Sequence, residues 1–66
     1  MRIKWLEDVD LKVMMDEDDS FTEMVKTGEL DDVDIVGDYA NEVDMQFGSG
    51  DIAHSVKKTL FEVIPE

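Results

Sequence analysis

Carboxylates are the residues of this chain with the widest chemical reach: Asp16-Glu17-Asp18-Asp19 in one run, Asp31-Asp32-Val33-Asp34 in a second, Glu42-Val43-Asp44 in a third. Clustered aspartates first suggest a calcium loop. Such a loop needs oxygen ligands at its first, third and fifth positions, glycine at the sixth and glutamate at the twelfth. Starting from Asp16, the third and fifth positions are Asp18 and Ser20, but the sixth is Phe21 and the twelfth Thr27. Starting from Asp32, Asp34 and Gly37 fall correctly, while Val36 and Val43 occupy ligand positions. Neither register makes an ordered metal site, and weak, nonspecific cation association at Asp16 to Asp19 is the most they imply.

His54 is the single histidine and there is no cysteine, which removes zinc and thiol chemistry. Ser49 and Ser55 lie near His54 in sequence, but adjacent residues of a regular strand point to opposite faces, so a triad on Ser55 and His54 is geometrically awkward. Gly48 and Gly50 are not followed by the strand-to-helix turn that cradles phosphate. Sixty-six residues are also too few to enclose a substrate pocket of several hundred cubic ångströms. No catalytic residue, cofactor or metal is expected, and the chain reads as a non-enzyme.

The elements that must position these groups are strands. Val9, Leu11, Val13 and Met15 alternate with Asp10, Lys12 and Met14, the signature of a strand with one buried face. Asp16 to Ser20 then reads as a solvated loop. Phe21 to Lys26 reads as a short strand, with a helix over Ser20 to Leu30 as the alternative because Ser20 and Glu23 imitate a capping box. Leu30, Val33 and Ile35 lead to Gly37, with Asp32 and Asp34 facing the other way, and Gly37 to Asn41 reads as a turn. Glu42 to Phe47 alternates most cleanly, with Val43, Met45 and Phe47 on one side. Gly48-Ser49-Gly50-Asp51 is a tight hairpin signal. Ile52, His54 and Val56 then alternate with Ala53 and Ser55, which sets His54 on a partly buried face. Lys57 to Leu60 fits one helical turn, and Phe61 to Ile64 a last strand closed by Pro65. Five or six short strands joined by glycine-rich turns predict one all-β domain over residues 1 to 66, a small barrel.

Charge is the strongest functional signal. Eighteen acids stand against six bases, for a net charge of −12. Residues 13 to 56 hold thirteen of the acids and one base, Lys26, so the middle of the chain carries the whole imbalance. Such a field repels nucleic acid and membranes and favours basic partners. The apolar share, 42%, exceeds that of a disordered acidic tail. The first residues, Met1-Arg2-Ile3-Lys4-Trp5, run straight into acids and do not read as a signal peptide, so the expected location is the cytoplasm. On a strand, residues two apart share a face about 6.5–7 Å apart, so Asp32 with Asp34 and Glu42 with Asp44 form two rows of carboxylates, roughly 5 Å apart if the strands pair. Among the aromatics, Phe47 and Phe61 fit a core. Trp5 fits a plug at one end, and Tyr39, in a polar turn, fits an anchor for a partner. Met14 and Met24 could add an adaptable contact surface.

Met45-Gln46-Phe47-Gly48-Ser49-Gly50-Asp51, with Val56 to Ile64, resembles the end of an SH3-like barrel, in which a hairpin is followed by one 3₁₀ turn and a last short strand. The same third of the chain is similar to small acidic proteins, often phage-encoded, that end in a comparable phenylalanine-glycine hairpin and a Leu-Phe-Glu sequence. Peptide-binding SH3 domains carry exposed aromatics in their first long loop. Here that loop is Asp16 to Ser20, so recognition of proline-rich peptides is not implied. In charge and size the chain is similar to DNA-mimic inhibitors, among them phage inhibitors of uracil-DNA glycosylase, restriction enzymes and CRISPR effectors. The resemblance implies a protein that occupies the nucleic-acid groove of a host DNA- or RNA-binding protein stoichiometrically, in the host cytosol if phage-encoded. Its partner-binding residues would be Asp16, Glu17, Asp18, Asp19, Asp31, Asp32, Asp34, Asp38, Tyr39, Glu42 and Asp44. The alternatives are an acidic adaptor that recruits a basic protein without imitating DNA, and acids that serve solubility alone. A monomer is expected because like charge opposes self-association, with a homodimer through exposed edges as the other outcome.

Overall fold

Strand period governs nearly the whole chain, and the structure, a computed structural model that describes residues 1–14 and 19–65, is correspondingly all-β. Among the described residues seven strands form: β1 (Arg2–Trp5), β2 (Val9–Met14), β3 (Ser20–Val25), β4 (Leu30–Asp38), β5 (Glu42–Phe47), β6 (Ile52–Lys57) and β7 (Phe61–Ile64), with one 3₁₀ turn at Lys58–Leu60. Two more strands than the lower expectation, and one more than the upper, result because Ile3 and Trp5 make Arg2–Trp5 a strand in its own right. Ser20–Val25 is a strand and not the alternative helix. Met15, expected to end the second strand, lies outside the described residues, as do Asp16, Glu17 and Asp18.

All pairings are antiparallel, and the strands lie in the order β3-β2-β6-β5-β4-β1-β7. The long strand β4 serves two neighbours: Leu30 to Asp32 pair with β1, and the stretch from Val33 onward pairs with β5. β3 and β7 end the sheet, and no pairing joins them among the described residues, so the sheet is open. No helix among these residues is long and apolar enough to cross a membrane.

The core collects one face of each strand: Ile3, Trp5, Leu11, Val13, Val25, Val33, Val43, Met45, Ala53, Val56 and Phe61 are buried, and no polar side chain among the described residues is. Trp5 is therefore central and not a peripheral plug. Its ring meets Phe61 edge to face at 5.9 Å, a geometry aromatic quadrupoles favour. Phe61 is core as expected, whereas Phe47 is half-buried and packs on the core from its margin.

Two expectations fail for one reason, the β-bulge. In β4, Ile35 pairs with Met45 and Gly37 with Asp44, leaving Val36 as an extra residue. Gly37 and Asp38 thus complete a strand where a turn was expected, and the turn is confined to residues 39–41. In β6, Ala53 pairs with Met45 and Val56 with Val43, so His54 and Ser55 together face Asp44. The bulge lets Ala53 and Val56 both reach the core although they are three apart, and it turns His54 outward, with its side chain 53% exposed. Ser55 takes the accompanying strain, with φ at 58°.

Candidate protein-binding surface

The two rows of carboxylates do come to lie on adjacent strands, but the register staggers them. Asp34 stands opposite Gln46, and Asp44 opposite Gly37. Glu42 stands opposite Lys57, and Asp32 opposite Arg2. No carboxylate of the two rows faces another directly, which spares the sheet the cost of like charges at cross-strand positions. One facing cation, Arg2, forms an ion pair, and a second pair, Lys58 with Asp38, lies outside the two rows. Arg2 Nε lies 3.4 Å from Asp32 Oδ1, and Lys58 Nζ lies 2.7 Å from Asp38 Oδ1.

Several of the expected docking acids are occupied by the fold. Asp31 takes an inner position beside Val33, where its Oδ2 accepts the indole N–H of buried Trp5 at 2.8 Å. Asp44, whose side chain is only 15% exposed, sits between the two bulges. Its Oδ1 accepts the Ser55 backbone N–H at 2.9 Å, and its Oδ2 accepts the Tyr39 hydroxyl at 3.1 Å. His54 Nδ1 lies 3.5 Å from Asp44 Oδ1. The Ser55 N–H is the main reason that the Asp44 carboxyl titrates below the usual range, and the Tyr39 and His54 contacts act in the same direction. The Tyr39 phenol is held above its ordinary value in return, first because its hydrogen bond to Asp44 favours the protonated form. A Cβ at Gly37 would come within 2.8 Å of Asp44 Oδ2, so glycine there is what lets the carboxylate lie flat across β4.

Asp8, which sequence reasoning did not single out, behaves like Asp44. Its Oδ1 accepts both the Thr27 backbone N–H, at 2.8 Å, and the Thr27 hydroxyl, at 3.0 Å, and the backbone bond chiefly lowers its titration. These bonds tie the residue before β2 to Thr27, just beyond β3, and so close the open end of the β2–β3 hairpin.

The remaining expected residues present themselves to solvent. Asp19 precedes β3 and is exposed, as are Asp32, Asp34, Asp38 and Tyr39, while Glu42 is half-buried. Along β4 the outward row is Leu30, Asp32, Asp34 and Val36, all exposed; past the bulge, exposed Asp38 stands opposite Val43 and so belongs to the other face. Leu30 and Val36 therefore belong to the acidic row. Their even spacing from Asp32 and Asp34 is the signal for this, and it sets Leu30 on the face opposite Val33 despite the expected grouping of the two. A second surface element had no sequence signal: an apolar groove of about 340 Å³ lined by Met1, Ile35, Val43, Phe61 and Val63, with Asp38 and Lys58 at its rim.

Chemically, the surface offers exposed carboxylates, two salt-bridged cations and interspersed aliphatic side chains. The Asp44–His54 contact orients an imidazole, but no hydroxyl is hydrogen bonded to that ring among the described residues. No group of three or more histidine or acidic side chains among those residues is placed to hold a metal ion. Comparison with protein-family models, curated proteins and solved structures finds no match to this chain.

Proposed function

We propose that this chain acts stoichiometrically, as an acidic protein that occupies the nucleic-acid groove of a DNA- or RNA-binding host protein in the cytosol. The observation that carries this reading is the density of charge: a net −12 on a body 34 × 22 × 21 Å. A duplex carries one charge per roughly 1.7 Å of axis, hence about 20 over the same length, of which roughly half face any one partner. The outward row of β4 adds what charge alone lacks. Long-range attraction speeds encounter, and Leu30 and Val36 beside Asp32 and Asp34 slow release. The fold reading that accompanies it is an SH3-like barrel, supported by the hairpin between β5 and β6, the 3₁₀ turn after β6 and the short final strand.

A second reading, an adaptor for a basic protein surface that does not imitate DNA, draws on a different observation. Asp31, Asp32, Asp38 and Asp44 are each bonded within the chain, so the acids are less free than their number suggests. Competition separates the two. Tagged chain is used to retain proteins from a bacterial lysate, with and without excess duplex DNA. A nucleic-acid-binding protein that duplex displaces supports mimicry, and a partner indifferent to duplex supports the adaptor. The double substitution Asp32→Lys with Asp34→Lys should abolish capture in the mimic case. The fold should survive it, since the exposed Arg2–Asp32 pair is worth about 0–1 kcal/mol.

A further inference from the structure

β3 is the least covered strand of the molecule. It pairs with β2 along its whole length, from Ser20 to Val25, yet only Val25 is buried. It ends the sheet, and no strand pairs with its far side among the described residues. An edge of this kind presents every second backbone N–H and C=O outward, a template on which another chain adds as a strand. The other edge, β7, is shorter and is followed at once by Pro65. Phe21, 38% exposed, and Met24, 63% exposed, lie on opposite faces of β3, so an added strand would meet an apolar side chain on each face.

Charge selects what can add. Glu23 stands opposite buried Leu11, at an inner-face position where an apolar residue would otherwise continue the core. Asp19 lies one residue before the strand and is exposed. The cleft of about 260 Å³ beside β3 is lined by Glu23, Asp31 and Asp32 over Val25 and Phe47. A second copy would bring the same carboxylates and the same net −12 against these, so the edge rejects its own kind. A basic strand reverses the sign of every such contact.

We propose that the free edge of β3 accepts an extended, lysine- or arginine-bearing segment of a partner protein as an added antiparallel or parallel strand. Main-chain hydrogen bonds supply affinity. Glu23 and Asp19 select basic side chains on one face of the incoming segment, and half-buried Phe47 in the cleft packs against the aliphatic stem of one of them. The inference rests on reading the chain as a binder of a basic protein, but not on whether that partner's groove normally holds nucleic acid.

The test uses the full chain and a short peptide of alternating lysine and valine. Its controls are the same peptide N-methylated at every second amide and an alternating glutamate-valine peptide. Amide hydrogen exchange and amide chemical shifts report where each binds. The expected result is slowed exchange across β3 with the lysine peptide, no binding of the glutamate peptide, and at least about tenfold weaker binding of the methylated one, which keeps the charge and loses the ladder. Glu23→Lys, at an exposed position, should weaken the lysine peptide about tenfold. Equal affinity for the two lysine peptides, protection at β7 or nowhere, or an unchanged affinity in Glu23→Lys would overturn the proposal. The methylated peptide needs no change in the protein, so its result does not depend on how the variant folds. Failure here with duplex-sensitive capture intact removes the β3 edge alone. Peptide binding at β3 without duplex-sensitive capture removes only the mimic.

Discussion

Asp44 and Asp34 look out from neighbouring strands and are used in different ways. Asp44 is enclosed by two bulges, accepts a backbone N–H and a phenol, and lies beside an imidazole. Asp34 is exposed opposite Gln46, and no hydrogen bond or ion pair engages it among the described residues. The same contrast separates Asp31 and Asp8, which satisfy an indole and a threonine, from Asp19 and Glu23 at the sheet's end. In an acid-rich chain, then, the number of carboxylates is not the number of docking groups. Those that satisfy N–H groups are architecture, and those at edges and on outward rows are available to a partner.

Substitutions can break that contrast in order of expected size. Asp31→Ala should cost the most, about 1–3 kcal/mol, because it leaves the Trp5 N–H buried without an acceptor. Chemical denaturation measures it, and a loss within experimental error would move Asp31 to the docking class. Gly37→Ala should cost towards the lower end of about 1–3 kcal/mol through crowding against Asp44. Combined with Asp44→Ala, that crowding should largely vanish, so the two changes should be non-additive.

Acid sharpens the comparison next. Asp44 and Asp8 titrate below the usual aspartate range in the folded chain. Their contribution is therefore complete above the unfolded-state value and is lost as pH falls through the folded values. Melting temperature followed into acid should drop below the ordinary aspartate range. In Asp8→Asn with Asp44→Asn the profile should start lower at neutral pH and fall less steeply. Parallel profiles would show that these hydrogen bonds carry no linkage. The smallest effect should come from Asp34→Lys, which should leave stability within about 0.5 kcal/mol while weakening partner capture. A loss well above that would make Asp34 structural.

Much of the fold was legible in particular residues. Val43, Met45 and Phe47 between acids fixed β5, and Gly48 to Asp51 fixed the hairpin after it, where Gly50 takes φ of 95°. The 3₁₀ turn and the last strand followed from Lys57 to Ile64. β1 was overlooked because four residues give too short a pattern to register, although Ile3 and Trp5 alternate correctly. His54 was set on the wrong face because Ile52, His54 and Val56 keep perfect period, and a bulge is invisible to a periodicity that assumes none. For the site, the outward positions of Asp32 and Asp34 were readable from spacing, whereas that of Asp38 was not, because the bulge at Val36 precedes it. The use of Asp31 and Asp44 as internal acceptors was not.

By itself the sequence determined an all-β chain, its alternating buried faces and the concentration of negative charge in its middle, because these depend on local period and on summed charge. The tertiary structure alone decided which carboxylate meets which neighbour. Register and bulges bring together residues as distant as Trp5 and Asp31, or Asp44 and Ser55, and a shift of one position would exchange inner for outer faces along a whole strand. Pairing order likewise left β3 at an edge, a consequence of how seven strands share one core and not of any residue within Ser20–Val25.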